Sequence, residues 1–298
     1  MEPKRILITG GSGFLGGVLA QYFRDKYKTA FTYSNRKIAI EGCKAYHLNF
    51  LRVETIHVAI DLFEPDVVIN CAALANAKSC QHDPQLAREI NMDGAARLVE
   101  SLPDSKIRFI HISTDLVLDG EHAPYTEDDP ANPISVYGDV KLEAERIVLE
   151  SGKNTVVLRP ALIYGPMPES KKGCFMHWML HRFQAGEKVN LFTDEYRTPA
   201  YAIDIARAVD GLMDSNKTSH RLYHIGAPES VNRVEFATML CDAAGCDPSL
   251  INPCQLKDVD TGYPRTRDVS LDSTRIQTDL GLTLTPISQA LREIFREE

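Results

Sequence analysis

The sequence has no apolar run of the roughly 18 residues that a membrane-spanning helix needs. Only about four apolar-rich positions separate Met1-Glu-Pro-Lys-Arg5 from Gly10, where a signal peptide needs about 7–15. A cytoplasmic chain is therefore expected. There is no CxxC pair, and the seven cysteines are an odd number, so reduced thiols are expected rather than a disulfide frame. Basic residues do not predominate. With 33 Lys and Arg against 41 Asp and Glu, the net charge of -8 excludes a nucleic-acid surface built on a global positive field. Glycine (18) and proline (16) are too scarce for a collagen-like or low-complexity chain. What remains is an ordinary globular mix, 44% hydrophobic and 25% charged. At 298 residues it is long enough for one large or two smaller domains.

No metal centre is indicated. His177 and His181 are one helical turn apart, but no Glu adjoins His177 as in H-E-x-x-H and no third ligand is evident. Cys241, Cys246 and Cys254 lack a zinc spacing and read as small buried thiols. The acidic run Glu127-Asp-Asp129 reads as a solvated loop.

The apolar pattern is orderly in the first half. Strands are expected at 5–9, 28–33, 45–48, 66–70, 107–113 and 155–159, and helices at 13–23, 53–63, 84–102 and 134–150. Asp83-Pro84 is a helix start, with Asp as cap and Pro at the first helical position. Alternation of strand and helix predicts an α/β fold, a Rossmann-type doubly wound parallel sheet. After Arg159 the pattern loosens into a loop rich in Pro, Gly and Lys. Helices are then expected near 174–185, 203–215, 231–244 and 286–297, with short strands at 189–192 and 222–224. This places a dinucleotide-binding domain at 1–165, with 200–222 returning to it. A smaller α/β substrate lobe takes 166–199 and 223–298, and the cleft between the two is the default ligand site.

Gly10-Gly-Ser-Gly-Phe-Leu-Gly16 lies between the first strand and the first helix. Glycines there allow a tight turn and close approach of a pyrophosphate, and the helix N-terminus adds unpaired amides. An acid about 20 residues on would bind a ribose diol and favour NAD. The segment here is Thr32-Tyr-Ser-Asn-Arg36, with no acid. Ser34, Asn35 and Arg36 suit a 2′-phosphate, so NADP(H) is preferred, with NAD(H) as the alternative.

Tyr137-Gly-Asp-Val-Lys141 opens the long helix, and a spacing of four puts the phenol and the amine on one face. A nearby ammonium is expected to lower the tyrosine pKa and let it exchange a proton with a substrate oxygen. Ser113-Thr-Asp115 ends a central strand, where doubly wound sheets hold their ligands. The Thr114 hydroxyl can orient the same oxygen. Arg197 has two readings, a guanidinium for a diphosphate or an internal ion pair with Asp194 or Glu195. Arg265 and Arg267 are weaker candidates of the same kind.

Glycine turn, Asn70-Cys-Ala-Ala73, Ser113-Thr-Asp115 and Tyr137 to Lys141 follow in the order of the extended short-chain dehydrogenase/reductase family, which the whole chain resembles. Within it, Cys80-Gln-His-Asp-Pro84, Ser113 to Gly120, Pro124 to Pro130 and Arg267 to Asp272 resemble the dTDP-4-dehydrorhamnose reductase branch. The resemblance implies Thr114, Tyr137 and Lys141 as catalytic residues. It implies hydride transfer to a 4-keto sugar nucleotide, hence a place in carbohydrate biosynthesis. It completes the expected cofactor set as Gly10, Ser12, Gly13, Phe14, Leu15, Arg36, Asn49, Phe50, Cys71, Ala72, Ala73, Tyr137 and Lys141. The expected substrate set is Thr114, Asp115, Tyr137 and Arg197. A homodimer is compatible with it.

Two positions expected to face the sugar depart from the branch: Leu116 stands where Tyr is usual, and Leu162 where Trp is frequent. Leu116 also replaces the Glu of the 4,6-dehydratases, leaving no second carboxylate for an elimination. A sugar-nucleotide epimerase remains an alternative. So does a non-catalytic, NADP-binding regulatory subunit, because the beta subunit of methionine adenosyltransferase resembles the same branch.

Overall fold

The computed structural model describes residues 3–103, 106–214 and 218–296. Residues 215 and 297, expected at the ends of two helices, lie outside them.

From the N-terminus, β1 (Arg5–Thr9), α1 (Phe14–Phe23), β2 (Lys28–Tyr33), β3 (Lys44–His47), α2 (Val53–Phe63) and β4 (Val67–Asn70) follow the expected alternation. A short helix the sequence reading missed, α3 (Ala77–His82), begins where the Asn76 side chain accepts from the Ser79 amide. The Asp83 carboxylate then accepts from the Leu86 amide and, with Pro84, starts α4 (Pro84–Arg88). The single helix expected from 84 to 102 is instead α4, a π-helical turn (Glu89–Asp93) and α5 (Gly94–Glu100). The wide turn carries Asn91 inward, where its amide bonds both the N–H and the C=O of Leu74 (2.8 and 3.2 Å). That side chain holds the loop leaving β4. β5 (Arg108–Ile112), α6 (Val136–Glu150) and β6 (Thr155–Pro160) complete the regular half.

The second half holds β7 (Ile163–Tyr164), α7 (Phe175–Gln184), β8 (Val189–Phe192), β9 (Tyr196–Arg197), β10 (Ala200–Tyr201) and α8 (Ala202–Leu212). Then come β11 (Leu222–Ile225), β12 (Val231–Asn232), α9 (Arg233–Ala244), β13 (Ile251–Cys254), α10 (Thr274–Leu280) and α11 (Ile287–Ile294). Among the described residues, seven parallel strands form the central sheet in the order β11-β6-β5-β4-β1-β2-β3. The order reverses at β1, as a doubly wound sheet requires.

Alternating side chains feed two cores. Ile6, Ile8, Ile110 and Ile112 meet α1 and α8 through Leu19, Phe23, Ile205 and Val209. Leu7, Val68 and Phe109 meet α2, α5 and α6 through Ile60, Leu98 and Val148. A third core, built on Met179, Phe183, Leu191, Phe236, Leu240 and Leu291, holds the lobe. The stretch 223–298, expected wholly in that lobe, is divided. β11 pairs with β6, and Ile276 and Leu284 pack in the sheet core. Sequence periodicity cannot say which of two cores an apolar face joins.

Glu127 corrects another expectation. It is buried rather than solvated, accepting from the His224 amide at 2.8 Å and facing Arg275 at 3.3 Å. His224 itself is buried beside Arg159, and burial and that charge push its pKa down to about 3. In the unfolded chain the imidazole takes a proton as pH falls through 6.5; in the folded chain it does not until about 3. Stability from this group is thus lost across that window. Unfolding midpoints in urea are expected to fall as pH drops from 6.5 towards 3, less steeply in His224→Gln. Equal slopes would contradict the assignment. No helix among the described residues is long and apolar enough to cross a membrane.

Candidate active site

The glycine turn is shaped by close approach. Gly10 has φ +68°, and a Cβ there would overlap the Ala72 backbone at 2.8 Å. A Cβ on Gly16 would strike the Gly10 carbonyl at 2.5 Å. The turn therefore packs directly on the loop after β4 and floors a cavity of about 890 Å³ at the C-terminal ends of the strands. Gly10, Ser12, Gly13, Phe14 and Leu15 line it from the turn, and Asn49 and Phe50 from the end of β3. Cys71, Ala72 and Ala73 line it from the loop after β4, and Tyr137 and Lys141 from α6. Ser34 and Asn35 stand at its edge. Arg36 does not line it; its guanidinium donates to the Ser170 carbonyl at 2.6 Å. The sequence reading missed Lys172, Gly173 and Cys174, which close the cavity from the loop before α7.

Tyr137 is positioned by its helix start. Ser135 caps α6 by accepting from the Gly138 amide at 3.2 Å. A Cβ on Gly138 would overlap the Leu116 carbonyl, so the glycine lets α6 sit against the short 3-10 turn Asp115–Val117. The phenol thereby meets Thr114, whose hydroxyl also accepts from the Leu116 amide at 3.2 Å.

The expected lowering of the tyrosine pKa does not occur. Burial, then the charge of Asp115, then Cys80 push the Tyr137 phenol well above its ordinary range, and the Thr114 hydrogen bond only partly opposes them. Lys141 does not aim its charge at the phenol. It is 2% exposed, and its Nζ lies 2.7 Å from the Ile112 carbonyl and 3.1 Å from His111 Nε2. Burial pulls the Lys141 pKa down to about 8 against the opposing pull of Glu145 and Cys71. Lys141 thus titrates close to neutrality while the phenol holds its proton.

A second cavity of about 440 Å³ adjoins the first, and Ala75, Asn76 and Phe175 line both. Asp115, Leu116 and Leu162 line its inner end. The two leucines that replace the branch's aromatic residues therefore do face it. Arg197, Arg233 and Arg265 converge below on the buried Glu195, at 3.2, 2.8 and 2.7 Å. Burial would raise Glu195, but the three guanidinium groups outweigh it and hold the carboxyl down to about 2. Of the two readings of Arg197, the ion pair exists, with Glu195 and not Asp194. Its Nε also lies 3.3 Å from Asp115 Oδ2, and its Nη2 bonds Thr266 Oγ1 at 2.8 Å. Three guanidinium groups against Glu195 and Asp115 leave this cavity locally positive in a chain of net charge -8. Asp115 Oδ2 accepts no hydrogen bond among the described residues, and burial raises its pKa against Arg197.

His177 caps α7, its Nδ1 accepting from the Cys174 amide at 3.2 Å. Cys241 is buried, whereas Cys246 and Cys254 are only partly covered. Among the described residues no group of three or more His, Cys, Asp or Glu is placed to hold a metal ion.

A glycine-floored cavity at the strand ends that holds a tyrosine–lysine pair and adjoins a positive cleft defines a Rossmann-type NAD(P)-dependent oxidoreductase. The chain belongs to the RmlD substrate binding domain family, whose model matches residues 4–298. It is 29% identical over 277 residues to a probable low-salt glycan biosynthesis reductase of Haloferax volcanii, covering 92% of this chain and 91% of that protein. It is 28% identical over 295 residues to methionine adenosyltransferase 2 subunit beta of Bos taurus, covering 97% and 86%. Its fold matches a dTDP-4-dehydrorhamnose reductase of Bacillus anthracis, solved in complex with NADP, with TM-score 0.84, 20% identity and 99% of both chains covered.

Proposed function

We propose that the chain is an NADPH-preferring reductase of a 4-keto sugar nucleotide. The observation that carries this reading is Tyr137 in a cavity floored by glycines that adjoins a second cavity lined by arginines. A nicotinamide cofactor, when bound, supplies the hydride. The Gly10–Leu15 turn, Asn49, Phe50 and Cys71–Ala73 would hold it, with Ser34, Asn35 and Arg36 near a 2′-phosphate. The reductase and the NADP of the Bacillus anthracis protein, and the reductase of Haloferax volcanii, support this reading.

In this reading Tyr137 donates its proton to the substrate oxygen and Thr114 orients that oxygen. Asp115 Oδ2 meets a sugar hydroxyl, and the arginines around Glu195 offset the diphosphate charge. Leu116 and Leu162 give the sugar an apolar wall. Residues 1–165 form the cofactor half, with the lobe closing over the substrate. The arrangement is read as cytoplasmic and homodimeric.

The test is oxidation of NADPH by the isolated chain with a panel of 4-keto sugar nucleotides. Turnover of at least one is expected, faster than with NADH. Arg36→Ala is expected to weaken NADPH binding while leaving NADH binding unchanged. No turnover with any member, or equal affinity for both cofactors, would count against the reading.

The Bos taurus relative favours a second reading, a regulatory subunit that binds the dinucleotide and acts through a partner. Co-purification with a synthetase, without turnover by the isolated chain, would support it.

A further inference from the structure

Three buried polar residues stand in one row across the sheet. Strand register pairs Thr9 of β1 with Asn70 of β4, and Asn70 with His111 of β5. All are at most 2% exposed, on strands whose other side chains are almost all apolar. The row is continuous. The Ala72 amide donates to Thr9 Oγ1 at 3.2 Å, and that hydroxyl donates to Asn70 Oδ1 at 2.6 Å. Asn70 Nδ2 lies 3.1 Å from His111 Nδ1, and His111 Nε2 lies 3.1 Å from Lys141 Nζ. On β6 the next position is Val157, so the row ends at the lysine.

The direction of this row follows from Asn70, whose carbonyl oxygen faces Thr9 and whose NH₂ faces His111. A carbonyl oxygen can only accept. Thr9 therefore takes the Ala72 N–H on a lone pair and gives its own proton to Asn70 Oδ1, which leaves the Asn70 NH₂ to donate to His111 Nδ1. The imidazole must then carry its proton on Nε2, facing Lys141. An ammonium has no lone pair to accept that N–H, whereas a neutral amine does.

We infer that His111, oriented by Asn70 and Thr9, is a positioning residue that favours the neutral amine of Lys141 and so biases the Tyr137–Lys141 pair towards reduction. A reductase needs tyrosine as an acid that still holds its proton. An ammonium directed at the phenol would instead favour the phenolate, the base that alcohol oxidation needs. The functional half of this inference rests on the reductase reading, whereas the hydrogen-bond direction does not.

The surroundings agree. The groups facing Lys141 are Tyr137 and Glu145 on its own helix, His111 from β5 and the Cys71 thiol beyond β4. Glu145 is compensated by Arg159 at 2.7 Å, and burial raises the Cys71 thiol to about 12, so it is uncharged. Burial keeps His111 neutral, its pKa well below the ordinary value, and Lys141 is displaced in the same sense.

Nuclear magnetic resonance of the cofactor-free, ¹⁵N/¹³C-labelled full chain tests this without a substrate. The imidazole ¹⁵N shifts of His111 are expected to show the Nε2–H tautomer. The ε-carbon of Lys141 is expected to titrate near 8 rather than at the ordinary lysine value. Asn70→Asp places a carboxylate that accepts from His111 Nδ1–H and turns Nε2 into an acceptor. In that variant the tautomer should reverse and Lys141 should titrate higher by about one unit or more. In Asn70→Asp/His111→Phe the relay is gone and most of that rise should be lost. An Nδ1–H tautomer in the wild type, or an unmoved Lys141 in Asn70→Asp, would overturn the inference. Should that variant not fold, the wild-type tautomer decides alone. Failure of the reductase assay would leave these spectra unchanged, so the two readings fail separately.

Discussion

Tyr137→Phe is expected to lower turnover of the 4-keto sugar nucleotide by about 10²–10⁴-fold, the usual worth of a positioned general acid. The phenol hydroxyl is the only atom removed, and Thr114 is its polar neighbour. The ring still packs with Val140, Cys80 and Ala87, so thermal stability should change little. NADPH affinity, measured by fluorescence titration, should stay close to the wild type. A loss in kcat with little change in affinity separates loss of the acid from loss of the site. Because burial raises the phenol, the acid form persists through neutral pH, and the rate of reduction should not fall on its account below pH 10. Wild-type turnover in Tyr137→Phe would sink the mechanism.

The second large effect concerns a buried ion pair under the site. Arg159 Nη2 lies 2.7 Å from Glu145 Oε2, with side chains 4% and 1% exposed. The same carboxylate accepts the Ser113 hydroxyl, one residue before Thr114. Arg159→Met removes the guanidinium and leaves the carboxylate buried without it. Removing one partner of such a pair costs about 3–5 kcal/mol. Urea unfolding is the measurement. Arg159→Met/Glu145→Leu should recover much of the loss, because the stranded charge goes as well. A loss under about 1 kcal/mol in the single variant would show that the carboxylate escapes its environment by taking up a proton.

Much of this architecture was legible in one dimension. A sheet strand buried on both faces is built around a short apolar run, and Ile6–Ile8, Val67–Ile69 and Val156–Leu158 are such runs. Asp83 and Pro84 announce a helix because capping is a local interaction. The glycine turn, the strand-end Thr114 and the Tyr137–Lys141 spacing were legible for the same reason: each is a contiguous pattern. α3 and α10 were missed because seven residues or fewer carry too little period to stand out. Asn91 gave no local sign of a π-turn, since its partner Leu74 lies 17 residues away.

Charge and polarity inside the fold were the less legible part. Lys141 and Tyr137 share a helix face, yet the lysine bonds His111, contributed by a strand 30 residues earlier. Glu127 reads as one of three adjacent acids, and only the return of β11 buries it. Arg197 could be offered a phosphate or a carboxylate; folding brought it Glu195 from just before its own strand and Asp115 from across the site.

By itself, the sequence determined the alternation of elements, the glycine turn and the residues available for hydride chemistry, because these depend on neighbours three or four positions away. Tertiary structure alone decided how those residues are protonated and which ion pairs they enter. A pKa depends on desolvation and on charges that arrive from distant parts of the chain, and strand register sets which of them meet.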